Sequence, residues 1–299
     1  MTTEIDRRTL VCGLAALPAL SLASVGAAGA DTLRPMNARV VMSGHSLTDP
    51  IELPLITLVR AVGGKEALGF AIDRSTVPGS TLEYRWQPEI DLPIDAQRDI
   101  ANYDVLVLTE RVPVRSAMAY HKTSDYALKW TEHAWSNGGK GRGAETILYA
   151  TWIDVKSGPG NTDEWDSDEK TIPFRERLDL EMGTWQEIAD HVNGNRSAGT
   201  PPMRVIPGPK IMAAVYDAIA AGTAPGFSKV ADVFEDTIHV NAKGGFLMAL
   251  AHLAVIYRRD PREIPALKGD PGWPTPDQAA WMKDLVWNVL STYPDSGIG

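Results

Sequence analysis

The pattern that most limits how this chain can fold is an alternation of short apolar runs with longer amphipathic stretches. The clearest run is "YDVLVLTE", residues 103–110, four apolar residues between polar ones. "ARVVMS" (38–43), "LGFAIDRSTV" (68–77), "ETILYATWI" (145–153) and "MRVIPGP" (203–209) also read as strands. Between them, "IELPLITLVRAV" reads as a helix closed by Gly63 and Gly64. "SAMAYHKTSDYALKWTEHAW" reads as one helix, "FRERLDLEMGTWQEIADHVN" as another, and "KIMAAVYDAIAAG" as a third that stops at glycine. Residues 156–172 are polar and acidic and read as a loop insertion. Strands alternating with helices predict an α/β fold with a mostly parallel sheet covered on both faces. No repeat, low-complexity tract or linker interrupts the pattern, so residues 31–299 read as one domain.

The first strand hands over abruptly to chemistry. In "ARVVMSGHSLTDP" (38–50) the apolar residues run to Met42, and Gly44, His45 and Ser46 follow. In open parallel sheets, reactive groups gather at the carboxyl ends of strands. The stretch is not a G-x-S-x-G elbow, because position 48 is threonine. A hydroxyl is a weak nucleophile until a base takes its proton. "FEDTIHVNAKGGFLMALAHLAVIY" supplies a candidate base, His239, three residues after Asp236, with Asn241, Gly244 and Gly245 leading into a long apolar helix. A carboxylate at that spacing on a loop can orient the imidazole and stabilise its protonated form.

Taken together, "MSGHSLTDP", the glycine in "TVPGSTLEYRW" and "DTIHVNAKGG" resemble, in content and order, the blocks of the SGNH (GDSL-like) hydrolase superfamily. The resemblance spans nearly the whole chain after residue 30, and its strongest part is the D-x-x-H segment. It implies a three-layer α/β/α sandwich of flavodoxin-like type and an esterase, lipase or carbohydrate deacetylase activity. It implies Ser46 as nucleophile, His239 as general base and then acid, and Asp236 as the group that orients it. Gly79 matches the second-block glycine, whose backbone N–H joins that of Ser46 in the oxyanion hole. The third block departs from the family: where Gly-x-Asn-Asp is usual, this chain reads "VLVLTERVPV". The third oxyanion donor is then a protonated Glu110, or the Thr109 hydroxyl, or absent, with Glu110 paired to Arg111 or Arg115 instead. The expected reaction is hydrolysis of small acyl esters, acetyl above all, on small molecules or saccharides. An O-acyltransferase and an inactive carbohydrate-binding member of the fold are the alternatives. No cofactor or metal is required.

The net charge of −9 argues against nucleic acid and anionic membranes as partners. The first thirty residues carry Arg7 and Arg8, an Ala/Leu-rich run, and Ala28-Gly29-Ala30. That is the layout of an export signal, of twin-arginine type although Leu10 stands where phenylalanine is usual. It implies a periplasmic or secreted protein with no membrane insertion after cleavage; an uncleaved anchor is the alternative. Cys12, the sole cysteine, lies in this segment, so the remainder forms no disulfide and must rest on its core.

Other residues invite a reading. His45 is expected to be a turn residue lining the pocket. Trp86, Trp130, Trp135 and Trp152 stack on sugar rings or pack the core. "NTDEWDSDE" (161–169) is a solvated acidic loop rather than a calcium site. His252 is a core or surface residue, and His121, His133 and His191 lack metal-ligand spacing.

Overall fold

The computed structural model describes residues 33–87, 90–267, 269 and 271–298. The segment read as an export signal, Cys12 included, lies outside them. Five strands form: β1 (Arg39–Gly44), β2 (Ala71–Thr76), β3 (Val105–Leu108), β4 (Glu145–Ala150) and β5 (Arg204–Pro207). They lie in the order β2-β1-β3-β4-β5, every pairing parallel. The eight α-helices among the described residues are α1 (Glu52–Gly63), α2 (Leu82–Arg85), α3 (Val114–Tyr120), α4 (Thr123–Asn137), α5 (Phe174–Asn195), α6 (Gly208–Ala220), α7 (Ala242–Tyr257) and α8 (Pro276–Thr292).

The strands are short and apolar because both their faces are covered. Val40, Met42, Val105, Val107, Ile147, Tyr149 and Ile206 face a core shared with α1, α6, α7 and α8. Val41, Leu106, Leu108, Leu148 and Val205 face the opposite core, shared with α2, α4 and α5. This is the three-layer α/β/α sandwich. Helix α7 is buried from Gly244 to Tyr257, which explains why its sequence is apolar all round.

The crossover from β1 to β2 runs over one face through α1, whereas those through α4 and α5 run over the other. The connections diverge at β1 and β3, so a crevice opens at the carboxyl ends of those two strands. Ser46 follows β1 and Glu110 follows β3, so both stand at that crevice.

Two elements depart from the sequence reading. The helix expected over 116–135 is two helices, broken at His121 and Lys122. His121 adopts an extended backbone, its ring Nδ1 lies 3.0 Å from Glu83, and the Thr123 hydroxyl donates to buried Glu110 at 3.0 Å. These side-chain ties fix the break. Helix α8, where the sequence reading named no element, closes one outer layer through Met282, Val286 and Leu290, and Thr275 and Gln278 form its capping box.

Candidate active site

The turn that carries Ser46 begins where β1 ends. Gly44 is the last strand residue, and a Cβ there would lie 2.0 Å from Thr48 Oγ1, so only glycine lets the chain fold back this tightly. The Thr48 N–H donates to the His45 carbonyl at 2.8 Å, which closes a turn with half-buried Ser46 inside it.

Asp236 and His239 are presented by a loop pinched at its base. Phe234 and Val240 form an antiparallel bridge, and the Glu235 N–H donates to the His239 carbonyl at 2.8 Å. Asn241 holds the loop to α7: its Oδ1 accepts from the N–H groups of Lys243 and Gly244, and its Nδ2 donates to the Asp232 and Phe234 carbonyls. Within the loop, Asp236 Oδ1 accepts the N–H groups of Ile238 at 2.8 Å and His239 at 2.7 Å. These backbone donors, Ile238 first, hold the Asp236 carboxyl down at about 2. Its Oδ2 lies 2.7 Å from His239 Nδ1, and His239 Nε2 lies 2.9 Å from Ser46 Oγ. The three residues expected from the sequence are thus brought together in the order carboxylate, imidazole, hydroxyl. The carboxylate is open to solvent, its side chain 54 % exposed.

Gly79 lies in the turn from Val77 to Ser80, with φ of +64°, at the exposed carboxyl end of β2. Glu110 takes a different part from the one expected. It is fully buried, and its carboxylate accepts from the Arg111 N–H at 2.7 Å, the Leu82 N–H at 3.3 Å and the Thr123 hydroxyl at 3.0 Å. Burial raises its pKa, and the neighbouring Arg85 charge opposes that rise. Both of the Glu110 carboxylate oxygens are engaged by these donors. The opposing charge that acts on Glu110 through space is Arg85, with no direct ion pair between them, and not Arg111 or Arg115; Arg115 pairs with Glu169 at 2.9 Å. Thr109 is buried as well, its hydroxyl 3.5 Å from the Glu110 carbonyl.

His45 does not line the pocket. It is buried, and its Nε2 lies 2.9 Å from the Glu110 carbonyl, to which it donates. Burial first, and the Arg85 charge second, lower its pKa to about 4, so the ring is neutral near pH 7. Arg85 is the residue the sequence reading passed over. Its motif, "TLEYRW", looks like an ordinary amphipathic turn, and only the side chain's inward course reveals the role.

The tryptophans sort by burial. Trp130 and Trp152 are core, Trp86 packs edge-on against Trp130 at 4.8 Å, and Trp135 covers Gly143. An open aromatic ring in the acidic loop is Trp165, 88 % exposed. That loop is anchored rather than merely solvated: Asp166 pairs with buried Arg177. A cleft of about 230 Å³, lined by Arg111, Pro113, Ile153, Trp165 and Ile238, adjoins His239 through Ile238. A second cleft of about 660 Å³ shares Arg111, Trp165 and Asp166 and continues to Tyr120. A cavity of about 800 Å³ lies among α5, α6 and α8 and holds none of these residues. Among the described residues, no group of three or more His, Cys, Asp or Glu is placed to hold a metal ion.

No family model matches the chain, and no curated relative matches it. Solved structures do. A DUF4886 family protein from Bacteroides uniformis superposes with a TM-score of 0.56 at 15% identity, covering 86% of this chain and 96% of that one. A candidate SGNH hydrolase from Slackia heliotrinireducens gives 0.47 at 19% identity, over 72% of this chain and 96% of that one. Est24, a carbohydrate acetylesterase from Sinorhizobium meliloti, gives 0.41 at 11%, over 73% and 99%. At 15% identity the likeness to the Bacteroides uniformis protein is one of fold alone; the sandwich that the sequence resemblance implied is read from the parallel sheet and the helices on its two faces.

Proposed function

We propose that this chain is a serine esterase of SGNH type that cleaves small acyl esters through an acyl-enzyme on Ser46. The observation that carries this reading is the continuous chain of hydrogen-bonding contacts from Asp236 through His239 to Ser46 Oγ. His239 Nε2 takes the hydroxyl proton as Oγ attacks the ester carbonyl, and Asp236 steadies the protonated ring. Collapse of the tetrahedral adduct breaks the acyl carbon–oxygen bond, and the imidazolium gives its proton to the departing alcohol. Water then repeats the sequence and releases the acid, restoring Ser46. The N–H groups of Ser46 and Gly79 are the proposed oxyanion donors, each worth roughly 3 kcal/mol when well aimed.

The alcohol part is proposed to extend into the clefts beside Ile238, where Trp165 offers an open face to a sugar ring and Arg111 a guanidinium. An O-acetylated saccharide fits that lining, and an exported enzyme would meet one in the cell envelope. Among the described residues no helix is long and apolar enough to cross a membrane. The reading is tested with p-nitrophenyl acetate and a fluorophosphonate probe. Ser46 becomes labelled, and labelling and turnover disappear in His239→Ala. Absence of labelling in the folded wild-type protein overturns the reading.

A further inference from the structure

Arg85 is a charged side chain buried beneath the carboxyl edge of the sheet, 4% exposed. Its Nε donates to Ser43 Oγ at 3.0 Å, and Nη1 to both the carbonyl and the hydroxyl of Ser80, each at 2.8 Å. Nη2 donates to the Thr109 carbonyl. The partners stand on three separate segments. Ser43 is on β1, just before the nucleophile turn; Ser80 directly follows Gly79; Thr109 directly follows β3. These are the segments that must hold still around a tetrahedral adduct. The third is also the one that lacks the usual asparagine.

Burying a guanidinium costs several kcal/mol unless its donors are satisfied and its charge opposed. Here four hydrogen bonds engage the guanidinium and the Glu110 charge opposes its own. Burial lowers the Arg85 pKa to about 10, which leaves it charged at neutral pH. A hydrophobic side chain would fill the same space without that cost. The planar fork does what a hydrophobic residue cannot: it fixes the three segments relative to one another.

We propose that Arg85 is the positioning residue of the oxyanion site, tying the Ser46 turn, the Gly79 turn and the end of β3 into one rigid frame. This rests on the esterase reading above. The test compares wild type, Arg85→Lys and Arg85→Met as full chains, by thermal melting, by kcat and KM on p-nitrophenyl acetate, and by the rate of fluorophosphonate labelling at Ser46. In folded Arg85→Met, kcat and the labelling rate fall at least about thirtyfold while KM stays within about threefold, the signature of support given chiefly to the transition state. Arg85→Lys keeps the charge but not the fork and recovers part of the loss. A purely structural role would lower the melting temperature and leave kcat of the folded protein unchanged. A folded Arg85→Met with wild-type kcat overturns the proposal. Where Arg85→Met does not fold, Ser80→Ala removes one of the ties, and kcat falls about threefold to tenfold at unchanged KM. An unchanged kcat in Ser80→Ala overturns the proposal equally. A wild-type protein that neither labels nor turns over removes the esterase reading, and this proposal with it; the variant results bear on Arg85 alone.

Discussion

The His45 ring and the Glu110 backbone are joined across the crevice, Nε2 donating to the carbonyl at 2.9 Å inside a fully desolvated layer. The bond ties the residue before Ser46, the proposed nucleophile, to the residue that follows Thr109 at the end of β3. Its neighbour in sequence therefore has its backbone position set by a contact with another strand.

Replacing His45 by alanine leaves the Glu110 carbonyl without that donor in a dry site. The expected cost is about 1–3 kcal/mol of stability, together with a lower kcat because the Ser46 turn is loosened. Urea unfolding and steady-state kinetics on the same preparation measure both; a loss of stability with kcat untouched would mean that the turn holds itself.

Glu110→Gln does not raise activity, because the carboxylate points at Leu82, Arg111 and Thr123 rather than at the oxyanion. It removes the charge that opposes Arg85, and the expected destabilisation is roughly 2–4 kcal/mol. A variant that is as stable as wild type, or faster, would contradict the assignment.

Asp236→Asn and Asp236→Ala separate the two duties of that side chain. Asparagine keeps an oxygen for the N–H groups of Ile238 and His239 but does not hold the imidazolium. The loop stays ordered while kcat falls by about 10²–10⁴. Alanine loses both, so the 234–240 loop also becomes easier to cleave by protease.

Two buried imidazoles link stability to pH. Burial lowers the pKa values of both His45 and His252 to about 4. Between about pH 6.5 and 4 the unfolded chain binds protons at these rings and the folded chain does not, so their contribution to stability falls as the pH falls. Glu181, which burial raises to about 7, acts with the opposite sign: its contribution falls as the pH rises from about 4.5 through 7. The test is therefore a difference. The gap in unfolding free energy between wild type and His252→Leu changes with pH by up to about 3 kcal/mol between pH 7 and 4, in favour of the variant at the acid end. A constant gap would show that His252 accepts its proton in the folded state.

The sequence by itself determined the elements whose cause is local. "VVM" and "VLVL" are strands because a parallel sheet wants apolar residues on both faces, and α7 is buried all round because its composition leaves no polar face. The Asp236–His239 pair was legible for the same reason: a carboxylate that accepts the N–H groups two and three residues on turns the chain back, and three residues suffice. Tertiary structure alone decided the rest. It turned Glu110 inward, found Arg85 as its opposing charge, broke the helix at His121, and left Trp165 open in the acidic loop while Trp130 and Trp152 became core. The reason is physical. Periodicity reports which side of its own element a residue faces, but a buried charge is settled by whichever partners the packing of distant segments brings within about 3 Å, and that juxtaposition has no local signature.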